Sequence, residues 1–180
     1  MSLPKPPRPA KLVMSLFIRE KEIISNIFEI LCDKFGKIDM ISDWIPFDFT
    51  NYYMEEMGHP LFRRMISFKN LINQGDLPEI KLFTNNIENK VSMFPKKRVV
   101  NIDPGYLLLE RFVLATGKNY SHRIYIGNNI YADLTLIYQK GGFKTLPWTY
   151  PDYAQDNMIN FLEAVRKKYT YDLKTIEDYL

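Results

Sequence analysis

The sequence predicts an α+β domain with a ferredoxin-like βαββαβ antiparallel sheet, extended by a C-terminal β-hairpin and with its helices packed on one face. Two observations support this fold class. Apolar runs of strand length alternate with segments in which apolar residues recur every three or four positions, the spacing of an amphipathic helix. The first six segments follow the order strand, helix, strand, strand, helix, strand, which suits two right-handed crossovers on an antiparallel sheet.

The N-terminal part of the chain supplies the first strand and the first helix. Residues 1–10 contain four prolines and are expected to form an extended, disordered tail, so that residues 11–180 make a single domain. Residues 11–18 are a nearly continuous apolar run, which is typical of a strand buried on both faces. The helix that follows is expected to end at Gly36. Its apolar face consists of Ile23, Ile24, Ile27, Phe28, Leu31 and Phe35.

The middle of the chain predicts two strands around a short helix, and then a second long helix. Residues 38–47 and 61–68 have the composition of strands, and the segment 47–58 reads as a loop with a short helix. Asp76 and Glu79 have the spacing of a capping box. The second long helix is therefore expected to begin at Asp76.

The stretch N-I-D-P-G-Y-L predicts a strand that enters a turn. Residues 99–103 form the expected fourth strand. In the D-P-G-Y sequence that begins at Asp103, proline presets φ and Gly105 accepts the positive φ of a type II turn. Residues 107–116 are then expected to form a helix with Gly117 past its end, and a strand is the alternative for this segment.

Residues 123–126 and 130–136 alternate apolar side chains at even positions with polar side chains at odd positions. Side chains alternate between the two faces of a strand, so a three-residue loop at 127–129 would separate the two kinds of side chain. A two-residue Asn-Asn turn would mix them, and the pattern therefore favours the longer loop. One face of this hairpin would carry the polar side chains Arg123, Tyr125, Tyr131, Asp133 and Thr135.

The C-terminal part of the chain predicts a loop and a last helix. Residues 139–151 contain two glycines and two prolines, which interrupt regular structure. Asp152 is expected to cap the helix that follows. The buried side of that helix would be Met158, Phe161, Leu162, Val165 and Tyr169.

Composition and charge limit the classes of function. A net charge of +3 is too small to indicate a nucleic-acid or membrane partner by itself. The single cysteine, Cys32, rules out an intramolecular disulfide and fits a reducing compartment. No apolar run reaches the roughly 18 residues of a transmembrane helix, and the N-terminus lacks the apolar core of a signal peptide. A cytoplasmic protein with no membrane partner is therefore expected.

Polar side chains of several kinds are concentrated between residues 101 and 133, beside the expected turn, and this mixture is typical of a ligand site. Asp103 and His122 are the candidate catalytic acid and base. Lys118 and Arg123 are candidates for binding an anion. The further candidates for substrate binding are Asp48, Tyr106, Tyr131, Asp133 and Trp148.

Several of these residues also have a structural interpretation. Asp103 suits the first position of the turn, where its carboxylate accepts a hydrogen bond from a local backbone N–H. Arg123 could form a cross-strand ion pair with Asp133, and His122 falls by parity on the apolar face, as a hydrogen-bonded histidine at the edge of the core. Lys118 could be a helix-end cation. Both interpretations stay open at this point.

Metal binding is not predicted. Asp48, Asp103 and Asp133 carry hard oxygen ligands that could hold Mg²⁺ together, but Asp48 also suits a cap for the short helix that follows it. The two histidines, His59 and His122, have no close ligand spacing. No metal and no other cofactor is therefore expected.

Several stretches of the chain are distinctive. They are F-D-F-T at 47–50, Tyr52-Tyr53 with E-M-G at 56–58, N-I-D-P-G-Y-L at 101–107, S-H-R-I-Y-I-G at 121–127 and P-W-T-Y-P-D-Y at 147–153. Together they resemble an uncharacterised prokaryotic family, a domain of unknown function of about this length, whose members have sometimes been labelled GTP-binding. The resemblance covers nearly the whole chain and implies a shared fold and a shared site, but no activity. The residues add no support for a nucleotide, because neither G-x-x-x-x-G-K-[ST] nor G-x-G-x-x-G is present.

Three functions follow from these patterns. The leading hypothesis is a protein that binds an anionic small molecule, a nucleotide or phosphorylated metabolite, at a site built from the D-P-G-Y turn and the S-H-R-I-Y hairpin. The first alternative is an RNA- or protein-interaction module without catalysis, although the aromatic signature of RNA-recognition modules is absent. The second is a small hydrolase or transferase that uses Asp and His as acid and base. Exposed Tyr and Phe side chains also allow a homodimer.

Overall fold

Residues 2–48, 54–92 and 98–177 are described by a computed structural model, which has an α+β architecture built on one open, antiparallel sheet of nine strands. The strands are β1 (Ala10–Ile18), β2 (Ile38–Ile41), β3 (Ile45–Phe47), β4 (Leu61–Ile72), β5 (Val100–Leu107), β6 (Arg111–Thr116), β7 (Arg123–Gly127), β8 (Ile130–Gln139) and β9 (Gly142–Thr145). The helices are α1 (Ile24–Phe35), the short α2 (Met54–Met57), α3 (Leu77–Val91) and α4 (Asp156–Glu177). Short 3-10 helices lie at Lys21–Ile23, Gln74–Asp76 and Pro151–Ala154.

The sheet runs in the order β2-β4-β1-β5-β6-β8-β7, and β3 and β9 pair with β4 and β8 outside this path. Every residue of the central strand β1 is buried, which confirms the prediction for this strand. Leu12 and Met14 of β1 pack with α1 and α3, whereas Val13 packs with α4. The prediction that the helices pack on one face is therefore wrong for α4, because the second apolar face of the sheet also has to be covered.

The predicted second and third strands differ in extent from the observed ones. Residues 38–47 divide into β2 and β3, which pair with different parts of β4. Strand β4 continues past the predicted 61–68 to Ile72, because its last residues pair with the start of β1 at Ala10. The long β4 therefore holds both short strands in the sheet.

The first two long helices begin and end for local reasons. Helix α1 buries Ile27 and ends, as predicted, at Gly36, which has a φ of 86°. In α3 the predicted capping box is wrong, because Asp76 has helical φ and ψ and makes no capping hydrogen bond with its side chain. The preceding 3-10 helix moves the start upstream, where the side chain of Asn73 accepts a hydrogen bond from Gly75 N–H at 3.0 Å.

The D-P-G-Y sequence forms part of a strand, which corrects the predicted type II turn. Residues 103–106 lie within β5, and Gly105 does not have a positive φ. A Cβ atom at Gly105 would lie 2.4 Å from the carbonyl oxygen of Val113. Glycine is required here because the backbones of β5 and β6 approach closely.

The predicted helix at 107–116 is also wrong, since this segment contains strand β6, which pairs with β5 and β8. Four consecutive residues, from Phe112 to Ala115, are buried. A run that is buried on all sides has no apolar period that distinguishes a helix from a strand. Pairing with two neighbouring strands decides the conformation.

A three-residue loop would pair residue 124 with 132 and residue 126 with 130. The first pair is confirmed, whereas Gly127 and not Ile126 pairs with Ile130. The loop is shorter than predicted: Asn128 and Asn129 form a two-residue turn with φ values of 54° and 59°, as in a type I′ turn. A β-bulge between Tyr125 and Gly127 adds one residue to β7. This residue keeps the alternation of side chains in phase between the two strands despite the two-residue turn. The polar side chains Arg123 and Asp133 are on the covered face, whereas Ile124 is 71% exposed.

The C-terminal helix α4 buries Met158, Leu162, Val165 and Tyr169, as predicted, whereas the predicted Phe161 is only partly buried. Asp152 does not cap it. The helix begins at Asp156, and Asp152 lies in the preceding 3-10 helix, where it forms an ion pair with Arg63. A buried guanidinium requires a counter-charge, and this requirement outweighs the capping role. None of the helices in the described ranges combines the length and hydropathy that crossing a membrane requires.

Candidate ligand site

The candidate site lies where β5 and β6 separate. The two strands are paired only from Gly105 to Leu107 on β5, so the residues from Val100 to Pro104 have no partner on β6. Pro104 lies at the point of separation and has no N–H that would need such a partner. The separation contributes to a cavity of about 540 Å³, which we call the fork cavity.

Helix α3 supplies the hydrogen bonds that β5 lacks along this edge. The N–H of Ile102 donates to Glu88 Oε1 at 2.7 Å, and its carbonyl oxygen accepts from Lys81 Nζ at 2.8 Å. Lys81 also donates to Asp103 Oδ1 at 3.1 Å. These side chains satisfy backbone groups that would otherwise be buried without partners. Lys81 and Glu88, both nearly fully buried, are thus fixed at the edge of the cavity.

An ion-pair chain continues from this edge. Arg98 donates to both carboxylate oxygens of Glu56 at 2.7 Å, and it also contacts Glu88 at 2.9 Å and Asn101 at 2.7 Å. Asn101 in turn donates to Asp103 Oδ2 at 2.7 Å. Burial raises the pKa of Glu88 above its ordinary value, against the opposing effects of the Lys81 charge and of the hydrogen bonds from Ile102 N–H and Arg98.

The least exposed part of the lining, which we call the buried end, is centred on Arg63, whose residue is 1% exposed. Its guanidinium lies 4.4 Å from the ring centroid of Phe17, 5.1 Å from that of Phe47 and 4.8 Å from that of Tyr153. Asp152 neutralises its charge. The aromatic rings thus hold a buried cation whose position is set by one carboxylate.

Nε of Arg63 is buried at this end and makes no hydrogen bond in the described part of the chain. The hydroxyl of Tyr153 is also buried, and it interacts with the buried hydroxyl of Ser15. Burial raises the pKa of the Tyr153 hydroxyl, and the carboxylates Asp103 and Asp152 add to this, against the opposing charge of Arg63. The hydroxyl therefore stays protonated and can donate a hydrogen bond.

Arg123 lies elsewhere in the lining and is held by three parts of the chain. Its Nε donates to Asp133 at 2.9 Å, and its two terminal nitrogens donate to the Lys118 carbonyl and the Tyr150 hydroxyl, both at 3.1 Å. The guanidinium also lies 4.4 Å from the ring centroid of Tyr120. The cross-strand ion pair considered for Arg123 is present.

The candidate base His122 is positioned by packing. Its Nε2 lies 3.3 Å from Asp133, and its ring stacks on Trp148 with centroids 5.2 Å apart. Trp148 is fixed by a hydrogen bond from its Nε1 to the Leu134 carbonyl at 2.8 Å. Asp103 has different partners, so the structure does not join the two catalytic candidates to each other.

The predicted site residues divide into two groups. Those that line the fork cavity are Asp103, Lys118, Arg123 and Asp133, and His122 contacts the last of these. The lining does not include Asp48, Tyr106, Tyr131 or Trp148. Tyr106 alternates to the face of β5 opposite Asp103. Tyr131 packs edge-on against Tyr125, with centroids 5.5 Å apart.

Sequence reasoning missed Arg63, Lys81, Arg98, Asp152 and Tyr153, which also line the cavity. Two of them left a signal in the sequence. Lys81 belongs to a polar stripe on α3, with Thr84, Asn85 and Glu88 at helical spacing. Arg63 of β4 alternates to the same face of the strand as the apolar residues Leu61 and Met65. Among the described residues, no group of three or more His, Cys, Asp or Glu side chains is arranged to hold a metal ion.

Comparison with known families gives a match over most of the chain. Residues 8–169 match the family model described as Domain of unknown function (DUF4416). No curated protein and no solved structure matches the chain.

Proposed function

This chain belongs to the DUF4416 family, a domain of unknown function, and we propose that it binds an anionic small molecule in the fork cavity. The observation that carries this proposal is the charge of the lining. The cationic residues are Arg63, Lys81, Arg98, Lys118 and Arg123, and the carboxylates are Asp103, Asp133 and Asp152. A cavity that has such an excess of cations favours an anionic ligand.

Glu56 and Glu88 lie outside the lining but pair with Arg98 at 2.7 and 2.9 Å, so they offset its charge. At the surface of the cavity a ligand still meets more cationic N–H donors than carboxylates. The volume of about 540 Å³ lies within the roughly 300–1,000 Å³ of small-molecule sites. A nucleotide or a phosphorylated metabolite has a suitable size and charge.

The cations have different roles in this proposal. Lys118 is exposed and meets the anion first. Lys81 and Arg98 are held in place by Asp103, Glu56 and Glu88, and they shape the wall of the cavity. Arg123 positions the surrounding chain, since three of its nitrogens are already bonded within the protein.

The place of the cavity in the fold supports a ligand site. We infer that β1, α1, β2, β4, α3 and β5 form a ferredoxin-like unit, because their strands follow the antiparallel order β2-β4-β1-β5 and α1 and α3 share one face. The cavity lies where this unit meets the β6–β9 extension. Residues from both parts line it, so a ligand there would bridge the two.

The proposal predicts that inorganic phosphate or pyrophosphate raises the melting temperature of the protein, measured by thermal shift. At a hundredfold excess over Kd, binding stabilises the folded state by about 2.7 kcal/mol. Lys118→Glu should abolish this gain, because the charge reversal lies in the lining.

The matched control is Lys144→Glu, which reverses an exposed lysine of β9 outside the lining and should keep the gain. Absence of stabilisation of the wild-type protein by either anion would show that the proposal is wrong. Equal loss in both variants would show that only the net charge matters.

A further inference from the structure

We propose that the anion in the fork cavity carries a planar aromatic ring, as a nucleoside phosphate does, and that this ring stacks on the exposed side chain of Tyr120. This inference rests on the proposed function and adds the chemistry of the uncharged part of the ligand.

The apolar surface that a ligand can reach in the cavity consists of rings. Among the described residues of the lining, the apolar side chains that are at most 8% exposed are Phe17, Phe47, Leu114, Ala115 and Tyr153. Those that are open to solvent are Tyr120, Tyr150 and Pro151. A planar ring can cover the faces of exposed tyrosines, whereas an acyl chain would need accessible aliphatic side chains.

Tyr120 is held in place with part of its ring left open. The guanidinium of Arg123 lies over one face of the ring, 4.4 Å from its centroid. The Tyr120 carbonyl accepts a hydrogen bond from Arg123 N–H at 2.9 Å. The residue is nevertheless 50% exposed, so the face opposite the guanidinium is the part of the ring that a ligand can reach. Stacking on such a face suits a nucleobase, and the cation behind the ring adds to the attraction.

Tyr150 is fixed beside the same guanidinium. Its hydroxyl accepts a hydrogen bond from Arg123 at 3.1 Å, and Pro151 restricts its backbone to an extended conformation. The preceding residue, Thr149, donates from its hydroxyl to the Thr135 carbonyl at 2.6 Å. Two exposed tyrosines of the lining are thus ordered before a ligand arrives, which lowers the entropic cost of binding a ring beside them.

The place of Tyr120 in the chain relates the ring to the anion. Lys118, the exposed cation that meets the anion in the proposed function, lies two residues before Tyr120 in the loop between β6 and β7, and both residues line the cavity. A nucleoside phosphate joins a planar ring to a phosphate through a sugar, so one molecule can contact both side chains. A phosphorylated metabolite without a ring would leave the tyrosine uncovered.

The experiment compares AMP with ribose 5-phosphate, which lacks the base, by isothermal titration calorimetry. Wild-type protein should bind AMP at least about tenfold more tightly, which is the effect of one base stacked on an aromatic side chain. Tyr120→Leu keeps an apolar side chain but removes the ring. It should abolish the preference for AMP and leave the affinity for ribose 5-phosphate unchanged, whereas Tyr120→Phe should keep the preference.

The matched control is Tyr171→Leu, the same change at a tyrosine of α4 that is 68% exposed and lies outside the lining. This variant should keep the preference for AMP. A second measurement on the wild-type protein needs no substitution. The fluorescence of 2-aminopurine riboside 5′-monophosphate falls when its base stacks, so binding to the protein should quench it. This measurement decides the proposal even if Tyr120→Leu does not fold.

The outcomes separate the two proposals. If AMP is not preferred over ribose 5-phosphate, if the bound 2-aminopurine nucleotide is not quenched, or if a folded Tyr120→Leu variant keeps the preference, the stacking site is wrong and the proposed function stands. If the wild-type protein binds neither of these compounds, and neither inorganic phosphate nor pyrophosphate, both proposals are wrong.

Discussion

At the scale of single residues, buried charges depend on their partners. Asp133 is 4% exposed and Arg123 is 8% exposed, and their ion pair is reinforced by the Lys118 carbonyl and the Tyr150 hydroxyl. A buried charge that loses its partner is strongly destabilising, because its desolvation is no longer compensated. Arg123 is therefore a structural residue of the cavity wall.

Replacing Arg123 with Met should lower the free energy of unfolding by about 3–5 kcal/mol, measured by urea denaturation. The control is Arg111→Met, which removes a partly exposed arginine paired with Glu110 at 3.2 Å and should cost less than about 1 kcal/mol. A loss at Arg123 as small as that at Arg111 would contradict the structural role and make Arg123 available to a ligand.

At the scale of elements, the separation of β5 and β6 creates the cavity. The close approach of the two backbones at Gly105 ends the pairing on one side, and Pro104 begins the unpaired edge. The side chains of α3 then satisfy that edge at Ile102. Gly105 thus allows the close approach of the two strands, and the adjacent Pro104 lies where they begin to separate.

Gly105→Ala should lower the free energy of unfolding by about 1–3 kcal/mol, because the added Cβ would lie 2.4 Å from the Val113 carbonyl oxygen. Chemical denaturation measures this loss. Gly117 also lines the fork cavity, but an added Cβ there meets no atom within 4 Å. Gly117→Ala should therefore change the free energy of unfolding by less than about 1 kcal/mol. Equal effects at the two glycines would refute the close-approach argument.

At the scale of the whole molecule, a buried lysine joins both ends of the chain. Lys11 of β1 is fully buried, forms an ion pair with Asp39 of β2 and contacts Asp172 of α4 at 2.8 Å. Lys168 also contacts Asp172. Burial acts against ionisation of Asp172, but the hydrogen bonds from Lys11 and Lys168 outweigh it and lower its pKa below the ordinary 3.8.

A carboxylate whose pKa is lower in the folded state contributes stability above its unfolded pKa and loses it as the pH falls. Asp172→Asn should therefore cost about 2 kcal/mol at neutral pH, and the difference from wild type should shrink as the pH falls below 3.8. Urea denaturation across this range measures both values. Asp33→Asn, at an exposed position of α1, should have little effect, and a pH-independent deficit for Asp172→Asn would disprove the ion-pair contribution.

Local patterns determined a large part of this fold in advance. The apolar run of β1, the helical spacing of α1 and α4, the end of α1 at Gly36 and the register of the hairpin all follow from neighbouring residues. These features are readable because side-chain period and backbone preference act over a few positions. Four of the residues that the sequence suggested for a site, Asp103, Lys118, Arg123 and Asp133, line the fork cavity.

Tertiary structure alone decided the conformation of β6, the role of Gly105 and most of the cavity lining. The segment of β6 is buried on all sides, so its period disappears, and pairing with β5 and β8 selects the strand. Gly105 is required by contact with Val113, and not by its own φ. Arg63, Lys81 and Tyr153 meet because strand order brings distant segments together, and no local pattern encodes that order.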